Sequence, residues 1–244
     1  MSLRELRRQF PPRERRPLLV TEVTRMSQAV CVACYDLHAG RIVRPLPRNI
    51  TNWPNVEYTS GRITVGTVLG VVPADPQPVS AYPHASEDLR LTGNPTSLAV
   101  LTPGQVVEAL RPTADRTVSA IFDGNLLERK YVEASVECRS LGAVMAAASQ
   151  IRPFVNRYDK LRVVFTDASG AAYDLPVTDM EAQQVLSQED ADAAAEYLRA
   201  KLAQHHRDTE IMLRLGLARA FSGVPPQNWH PMRCYLQCNG FLFS

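Results

Sequence analysis

The sequence holds little of the chemistry that marks the common enzyme classes. No serine stands in a nucleophile-elbow motif, and no glycine-rich phosphate loop occurs in the 244 residues. No apolar run approaches the roughly 18 residues that a membrane-spanning helix needs. We therefore assign no catalytic residue, expect no cofactor, and expect no contact with a membrane.

Lysine is also scarce, so nearly all of the positive charge is arginine. Only three lysines occur, and the formal net charge of the chain is +2. Residues 1–16 carry six arginines against Glu5 and Glu14, whereas the rest of the chain has a slight acidic excess. Guanidinium groups suit bidentate phosphate contacts. The near-neutral body, however, does not by itself indicate a strong non-specific nucleic-acid binder.

The five cysteines are an odd number, and no secretory signal peptide is evident, so a cytoplasmic protein is expected. Cys31 and Cys34, together with Cys234 and Cys238, raise the question of four zinc thiolates. Residues three apart in a strand point to opposite faces of a sheet, which opposes such a site. We therefore predict free, mostly buried thiols and no structural metal.

An antiparallel meander is predicted at the start of the chain. Residues 18–26, 30–35 and 41–46 are rich in β-branched and apolar side chains, which suit strands. Residues 36–40 form the hairpin loop before the third strand, with Gly40 available where φ must be positive. This pattern is typical of the beginning of a small barrel or sandwich.

The C-terminal half combines further strands with one clear helix. Residues 161–166, 210–221 and 232–243 have the composition of strands. Residues 188–206 have acidic residues at the start, basic residues at the end and a leucine-alanine stripe, which predicts a helix. We expect this helix to lie between strands of one barrel.

The overall pattern predicts a mainly β protein, all-β or α+β. Short strands and turn-rich connections favour two small barrels of the oligonucleotide-binding (OB) type, with one main helix in the C-terminal half. The turn-forming residues 111–116 are the predicted boundary between the barrels. We expect a basic arm at residues 1–16, a first barrel at 17–112 and a second barrel at 113–244.

The arm is a candidate short helix. Ser2 and Glu5 have capping-box spacing. One face carries an apolar stripe of Leu3, Leu6 and Phe10. So short a helix is marginal alone in water, and chain termini are commonly frayed. Any order in this arm is therefore expected to come from a protein partner that binds the stripe or from a phosphate backbone that binds the arginines.

Three segments together resemble a known family. They are EVTRMSQAVCVACYD…GRIVRPL near the start, YDLPVTD in the middle and RLGLARAF…CYLQCNGFLF at the end. Their order and spacing over residues 18–243 resemble the bacterial dual OB-containing domain proteins. The resemblance implies two OB-type barrels. It implies no known reaction and no catalytic residues.

The last strand has the most informative surface pattern. Arg233, Tyr235 and Gln237 alternate with apolar residues, so one face offers a guanidinium, an aromatic ring and an amide. Barrels that bind single strands combine such groups, although antiparallel sheets ordinarily have one polar face. The candidate nucleic-acid-binding residues are Arg41, Arg44, Arg48, Trp53, Arg157, Tyr158, Lys160, Arg233, Tyr235 and Gln237.

These patterns predict a protein that binds single-stranded DNA or RNA, as a component of a larger bacterial assembly for nucleic-acid handling or defence. Two alternatives stay open. One is a structural subunit that holds a protein partner, which the near-neutral body favours over strong non-specific binding. The other is an enzyme that acts on nucleic acid or nucleotide with a cluster such as His84, Asp88 and Asp179.

Overall fold

The structure is a computed structural model that describes residues 1–12, 14–77, 80–223 and 231–243. The chain divides into two compact units. Unit 1 comprises residues 1–79, 87–113 and 242–244. Unit 2 comprises residues 80–86 and 114–241.

Unit 1 contains three helices and seven strands within the described residues. In chain order they are α1 (Leu3–Gln9), β1 (Arg16–Met26), β2 (Ala29–Asp36), β3 (Arg41–Leu46), β4 (Trp53–Pro54), α2 (Asn55–Thr59), β5 (Thr67–Val71), β6 (Asp88–Arg90), β7 (Thr96–Val100) and α3 (Pro103–Leu110). Strands β1, β2 and β3 are the predicted meander. Gly40, at the end of the turn between β2 and β3, has a φ of 70°, as the sequence predicted.

The strands of unit 1 pair around a ring. Strand β1 is antiparallel to both β2 and β5, and β2 is antiparallel to β3. Strand β3 runs parallel to β6, with Arg44 opposite Asp88. The ring closes because β5 pairs with β7 and the chain after β5 bridges to the chain after β6, at Pro73 and Leu91. This order of neighbours is that of a five-stranded OB-type barrel, with β6 and β7 together forming the fifth strand.

Unit 2 contains three helices and seven strands within the described residues. They are α4 (Val118–Ile121), β8 (Tyr131–Glu133), β9 (Leu141–Ala147), β10 (Arg152–Val155), β11 (Leu161–Thr166), β12 (Ala172–Pro176), α5 (Met180–Gln188), α6 (Ala191–Ala203), β13 (Glu210–Leu217) and β14 (Arg233–Leu242). Neighbouring strands form two sheets, in the orders β8-β14-β13-β9 and β10-β11-β12.

The two sheets of unit 2 join into a second ring. A parallel bridge between Val177 and Cys238 links the end of β12 to β14. On the other side, only a short helical turn at Ala148–Gln150 separates β9 from β10, so these two strands act as one bent strand. The ring repeats the order of neighbours found in unit 1. The prediction that β11, β13 and β14 share one barrel is therefore confirmed.

The predicted helix at residues 188–206 is helix α6 in the structure, which begins three residues later and ends three residues earlier. Helix α6 begins after Asp190, whose carboxylate accepts the N–H of Ala193 at 2.8 Å, and it buries Leu198 and Leu202. Helix α5 precedes it and is capped by Asp179. The sequence interpretation missed α5 because Met180–Gln188 has a weak apolar pattern and too few buried residues to mark a stripe.

The cysteines follow the predicted burial. All five are free thiols; Cys31 is half-buried and the other four are buried. Burial raises the pKa of Cys34 well above its usual value. Cys234, Leu236 and Cys238 all face inward from β14, which confirms their role as small apolar core residues.

The arm is folded, and its capping box forms as predicted. The hydroxyl of Ser2 accepts the N–H of Glu5 at 3.3 Å, and the Glu5 carboxylate accepts the N–H of Ser2 at 2.7 Å. These two bonds satisfy donors that the start of a helix otherwise leaves without partners.

The arm also packs on its own chain, within unit 1. Leu6 has no exposed surface, and the Arg7 side chain donates to the carbonyl of Leu37. Farther along, Nε2 of His38 lies 2.7 Å from the carbonyl oxygen of Phe10. The prediction that the arm's order must come from a partner is therefore wrong, because unit 1 itself buries the central leucine of the stripe.

Candidate nucleic-acid interface

Two of the predicted binding residues in unit 1 are structural. Arg44 is 4% exposed, and its Nη1 lies 2.7 Å from Oδ1 of Asp88, a carboxylate that is equally buried. Burial alone would lower the pKa of Arg44, but Cys31, Asp88 and Glu87 together raise it, so the guanidinium stays charged. We therefore no longer propose that Arg44 contacts phosphate, because its guanidinium forms a buried ion pair with Asp88.

Trp53 is likewise buried, with 4% of its surface exposed. Its indole N–H donates to the carbonyl of Pro45 at 2.8 Å. A ring held in this way offers no open face on the outer surface, so its predicted role as a surface stacking group is also withdrawn. Arg41 and Arg48, in contrast, are exposed in unit 1, at the first residue of β3 and after its end.

The six remaining candidates lie in unit 2, in two groups. The first group is on β14, where Arg233, Tyr235 and Gln237 are partly exposed and alternate with buried residues. The predicted division of this strand into an apolar and a polar face is therefore confirmed. Both Arg233 and Tyr235 lie on the part of β14 that pairs with β8, with Tyr235 opposite Tyr131.

Arg233 and Tyr131 form the centre of this group. The guanidinium carbon of Arg233 lies 4.1 Å from the centre of the Tyr131 ring, a cation–π contact. The rings of Tyr131 and Tyr235 are tilted by 57° with centres 5.9 Å apart. The pKa of Arg233 is raised, chiefly by a hydrogen bond to Tyr235. Among the described residues, Nε of Arg233 is the one buried side-chain nitrogen or oxygen without a hydrogen-bond partner.

Phe221 completes the group, and the sequence interpretation missed it. The N–H of Phe221 donates to the carbonyl of Arg233 at 2.9 Å, and the N–H of Arg233 donates back at 3.0 Å. Residues that exchange both bonds in an antiparallel pair have side chains on the same face. Phe221 is 52% exposed beside Arg233. We call Tyr131, Phe221, Arg233 and Tyr235 the aromatic cluster.

The second group occupies the turn between β10 and β11. The Asn156 side chain accepts the N–H groups of Tyr158 and Lys160 at 2.9 and 3.1 Å, which shapes the turn. The Arg157 guanidinium lies 4.7 Å from the centre of the Tyr158 ring, and its Nη2 is 2.6 Å from the Tyr158 hydroxyl. Tyr158 is 63% exposed, and Lys160 is exposed beside it. We call Arg157, Tyr158 and Lys160 the hairpin group.

Strand pairing places the two groups at opposite ends of the barrel. The turn at 156–160 directly precedes Leu161, whose carbonyl accepts the N–H of Val177. Val177 in turn pairs with Cys238, so the turn lies near the Cys238 end of β14. Arg233 and Cys238 lie five positions apart on β14, which corresponds to about 16 Å at the usual rise of a strand. Gln237 lies between the two ends on the polar face of β14.

The histidine and carboxylates of the enzyme alternative have separate structural partners. His84 Nε2 lies 3.1 Å from the carbonyl oxygen of Leu217, and Asp88 pairs with Arg44. Asp179 accepts the N–H of Ala182 at 3.0 Å, and burial raises the pKa of its carboxyl to about 7. In the part of the chain that the structure describes, no three His, Cys, Asp or Glu side chains are grouped to hold a metal ion.

Comparison with known proteins agrees with the architecture. No helix among the described residues has both the length and the apolar character needed to cross a membrane. A search of curated proteins found no match to this chain. The family model described as "Dual OB-containing domain" matches residues 17–240, which is nearly the whole chain. Both units contain a ring of strands with the same order of neighbours, and the family model matches nearly the whole chain. The chain therefore belongs to the dual OB-containing domain family.

Proposed function

We propose that this protein binds single-stranded nucleic acid, DNA or RNA, on the polar face of unit 2. The nucleic-acid strand would extend from the aromatic cluster to the hairpin group. The observation that carries the proposal is the repeated pairing of an arginine with an aromatic ring at both ends of this face, at Arg233–Tyr131 and Arg157–Tyr158. Proteins that bind single strands combine stacking rings with arginines in this way.

The location of the hairpin group supports the proposal. In OB-type barrels, the loop between the first two strands and the loop between the last two flank the surface that takes oligonucleotides. Counting β9 and β10 as one strand, the hairpin group occupies the first of these loops, and Phe221 lies where the second begins. A separation of about 16 Å between the groups is compatible with the smaller site sizes of OB barrels, about 4 nucleotides or more.

We further propose that the two barrels are separate domains, at residues 17–112 and 113–244, and that the second carries the affinity. In unit 1, the candidates Arg44 and Trp53 are buried. Exposed Arg41 and Arg48 would add long-range attraction for the phosphate backbone.

The direct test is titration of a fluorescently labelled short oligonucleotide, followed by anisotropy at low salt. Phe221→Ala and Tyr158→Ala should each weaken binding by about 1–3 kcal/mol, the usual value of one base–aromatic stack. Both side chains are more than half exposed, so neither change should unfold the barrel. Ile50→Ala, which removes an exposed apolar side chain of unit 1, is the control and should bind like the parent protein.

Salt dependence separates the phosphate contacts from the stacks. Lys160→Ala should lower the slope of log affinity against log salt by about 0.7, the value for one contact with a single strand. Phe221→Ala should leave the slope unchanged, since it removes no charge. An intact protein that binds neither DNA nor RNA oligonucleotides at low salt would rule the proposed function out.

A further inference from the structure

Unit 1 contains a cavity of about 360 Å³ between helix α2 and the segment that enters β7. Its floor is formed by Trp53, Ile63 and Leu69, each of which is at most 4% exposed. Sites for small ligands commonly measure about 300–1,000 Å³ and have apolar walls with a few polar groups. This cavity lies outside the aromatic cluster and the hairpin group, which both belong to unit 2.

The rim of the cavity carries one positive and one negative group that neutralise each other. Arg62 Nη2 lies 3.0 Å from Glu57 Oε1. Because the two charges cancel at the rim, no net charge remains there to attract an ion in preference to an uncharged ligand. The rim is therefore suited to a ligand without net charge.

The floor and the remaining rim groups define the shape and the hydrogen bonds of that ligand. The Trp53 N–H is already donated to Pro45, so the indole contributes apolar contact alone. Opposite α2, the rim includes Asn94 and Ser97. An asparagine amide has one donor and one acceptor side by side, the arrangement that matches the exocyclic amine and ring nitrogen of adenine.

We propose that this cavity binds a neutral nucleobase that carries an exocyclic amine beside a ring nitrogen, as adenine does. The ring would contact the floor at Trp53, and Asn94 and Ser97 would hydrogen-bond its polar edge. The base arrives either as a free nucleoside or as an unstacked base of a strand. In both cases the site is separate from the interface proposed for unit 2.

Tryptophan fluorescence provides a direct readout of this site. The chain has two tryptophans, so Trp229→Phe leaves Trp53 as the only tryptophan, which is excited selectively at the red edge of the absorption band. Adenosine added to this variant should quench Trp53 emission in a saturable way. Asn94→Ala should weaken the binding about tenfold, within the 1–3 kcal/mol of a bidentate base contact. Asn49→Ala, an exposed asparagine outside the cavity, should bind like the parent.

The source and the class of ligand are tested in the same assay. Purine riboside, which lacks the amine, should bind about tenfold more weakly than adenosine, and adenosine monophosphate should bind no more tightly than adenosine. Quenching by an adenine oligonucleotide but not by adenosine would identify a strand as the source. If neither probe quenches Trp53 with dependence on Asn94, or if the phosphate strengthens binding tenfold, the inference is wrong.

Failure of this inference differs from failure of the proposed function. The oligonucleotide titration is repeated with Phe221→Ala and Tyr158→Ala in the same Trp229→Phe protein. Weakened oligonucleotide binding in these two variants, with quenching by adenosine retained, is the result expected if both proposals hold. Unchanged oligonucleotide binding in the two variants, with quenching retained, would count against the unit 2 interface alone. In the Trp229→Phe protein without these two changes, oligonucleotide binding without quenching by adenosine would count against the cavity alone.

Discussion

Truncation of Leu6 tests whether the arm is part of unit 1. Leu6 is completely buried, although it lies on a helix of only seven residues near the start of the chain. Removing a buried leucine side chain commonly costs about 2–5 kcal/mol, the larger values being for sites that cannot collapse. Because the arm can detach while the rest of unit 1 stays folded, the loss of unfolding free energy cannot exceed the free energy with which the arm docks. We therefore expect Leu6→Ala to lower the unfolding free energy of unit 1 by about 2–3 kcal/mol.

The assay is urea unfolding followed by Trp53 emission in the Trp229→Phe protein. Because a small domain loses about 1–3 kcal/mol per molar urea, the midpoint should fall by about 1 M. Leu3→Ala is the matched control, since Leu3 lies on the same helix but is only half-buried, and it should cost less than half as much. Equal midpoints for Leu6→Ala, Leu3→Ala and the parent would refute the docked arm and restore a partner as the source of its order.

Two further predictions concern buried charge. Arg44→Met should lower the unfolding free energy of unit 1 by about 3–5 kcal/mol, because it leaves the buried Asp88 carboxylate unpaired, and it should leave the salt dependence of oligonucleotide binding unchanged. A stable variant with a reduced salt slope would show instead that Arg44 contacts phosphate. The pKa of Asp179 is raised to about 7, so between roughly pH 4 and pH 7 the folded protein binds more protons than the unfolded chain. The stability of unit 2 that depends on a protonated Asp179 is therefore lost as the pH rises through this range. Asp179→Asn keeps a helix-capping side chain and should flatten the decline in urea midpoint of unit 2 between pH 5 and pH 8, measured by circular dichroism. Identical pH profiles for the two proteins would contradict the raised pKa.

Local features were predictable because they depend on residues close together in the chain. The capping box of Ser2 and Glu5 spans four residues, and the turn that ends at Gly40 spans five. The alternation of Arg233, Tyr235 and Gln237 follows from the two-residue repeat of a strand. The family resemblance supplied the number of barrels, which periodicity alone only favoured.

The roles of individual arginines and aromatic residues required the tertiary structure. Arg44 and Arg233 both lie on strands beside apolar residues, and the sequence treats them alike. Arg44 meets Asp88, 44 residues later, and becomes a buried ion pair. Arg233 meets Tyr131 and becomes part of a partly exposed cluster.

The sequence by itself therefore determined the mainly β class, the first hairpin turn, the capping box of the arm and the polar face of the last strand, since each depends on neighbouring residues and the repeat of a strand or helix. The tertiary structure decided that the arm docks on unit 1, that Trp53 lines a cavity and that Phe221 joins the aromatic cluster. Burial and cross-strand contact depend on residues brought together from distant parts of the chain, and no local pattern specifies which strands become neighbours.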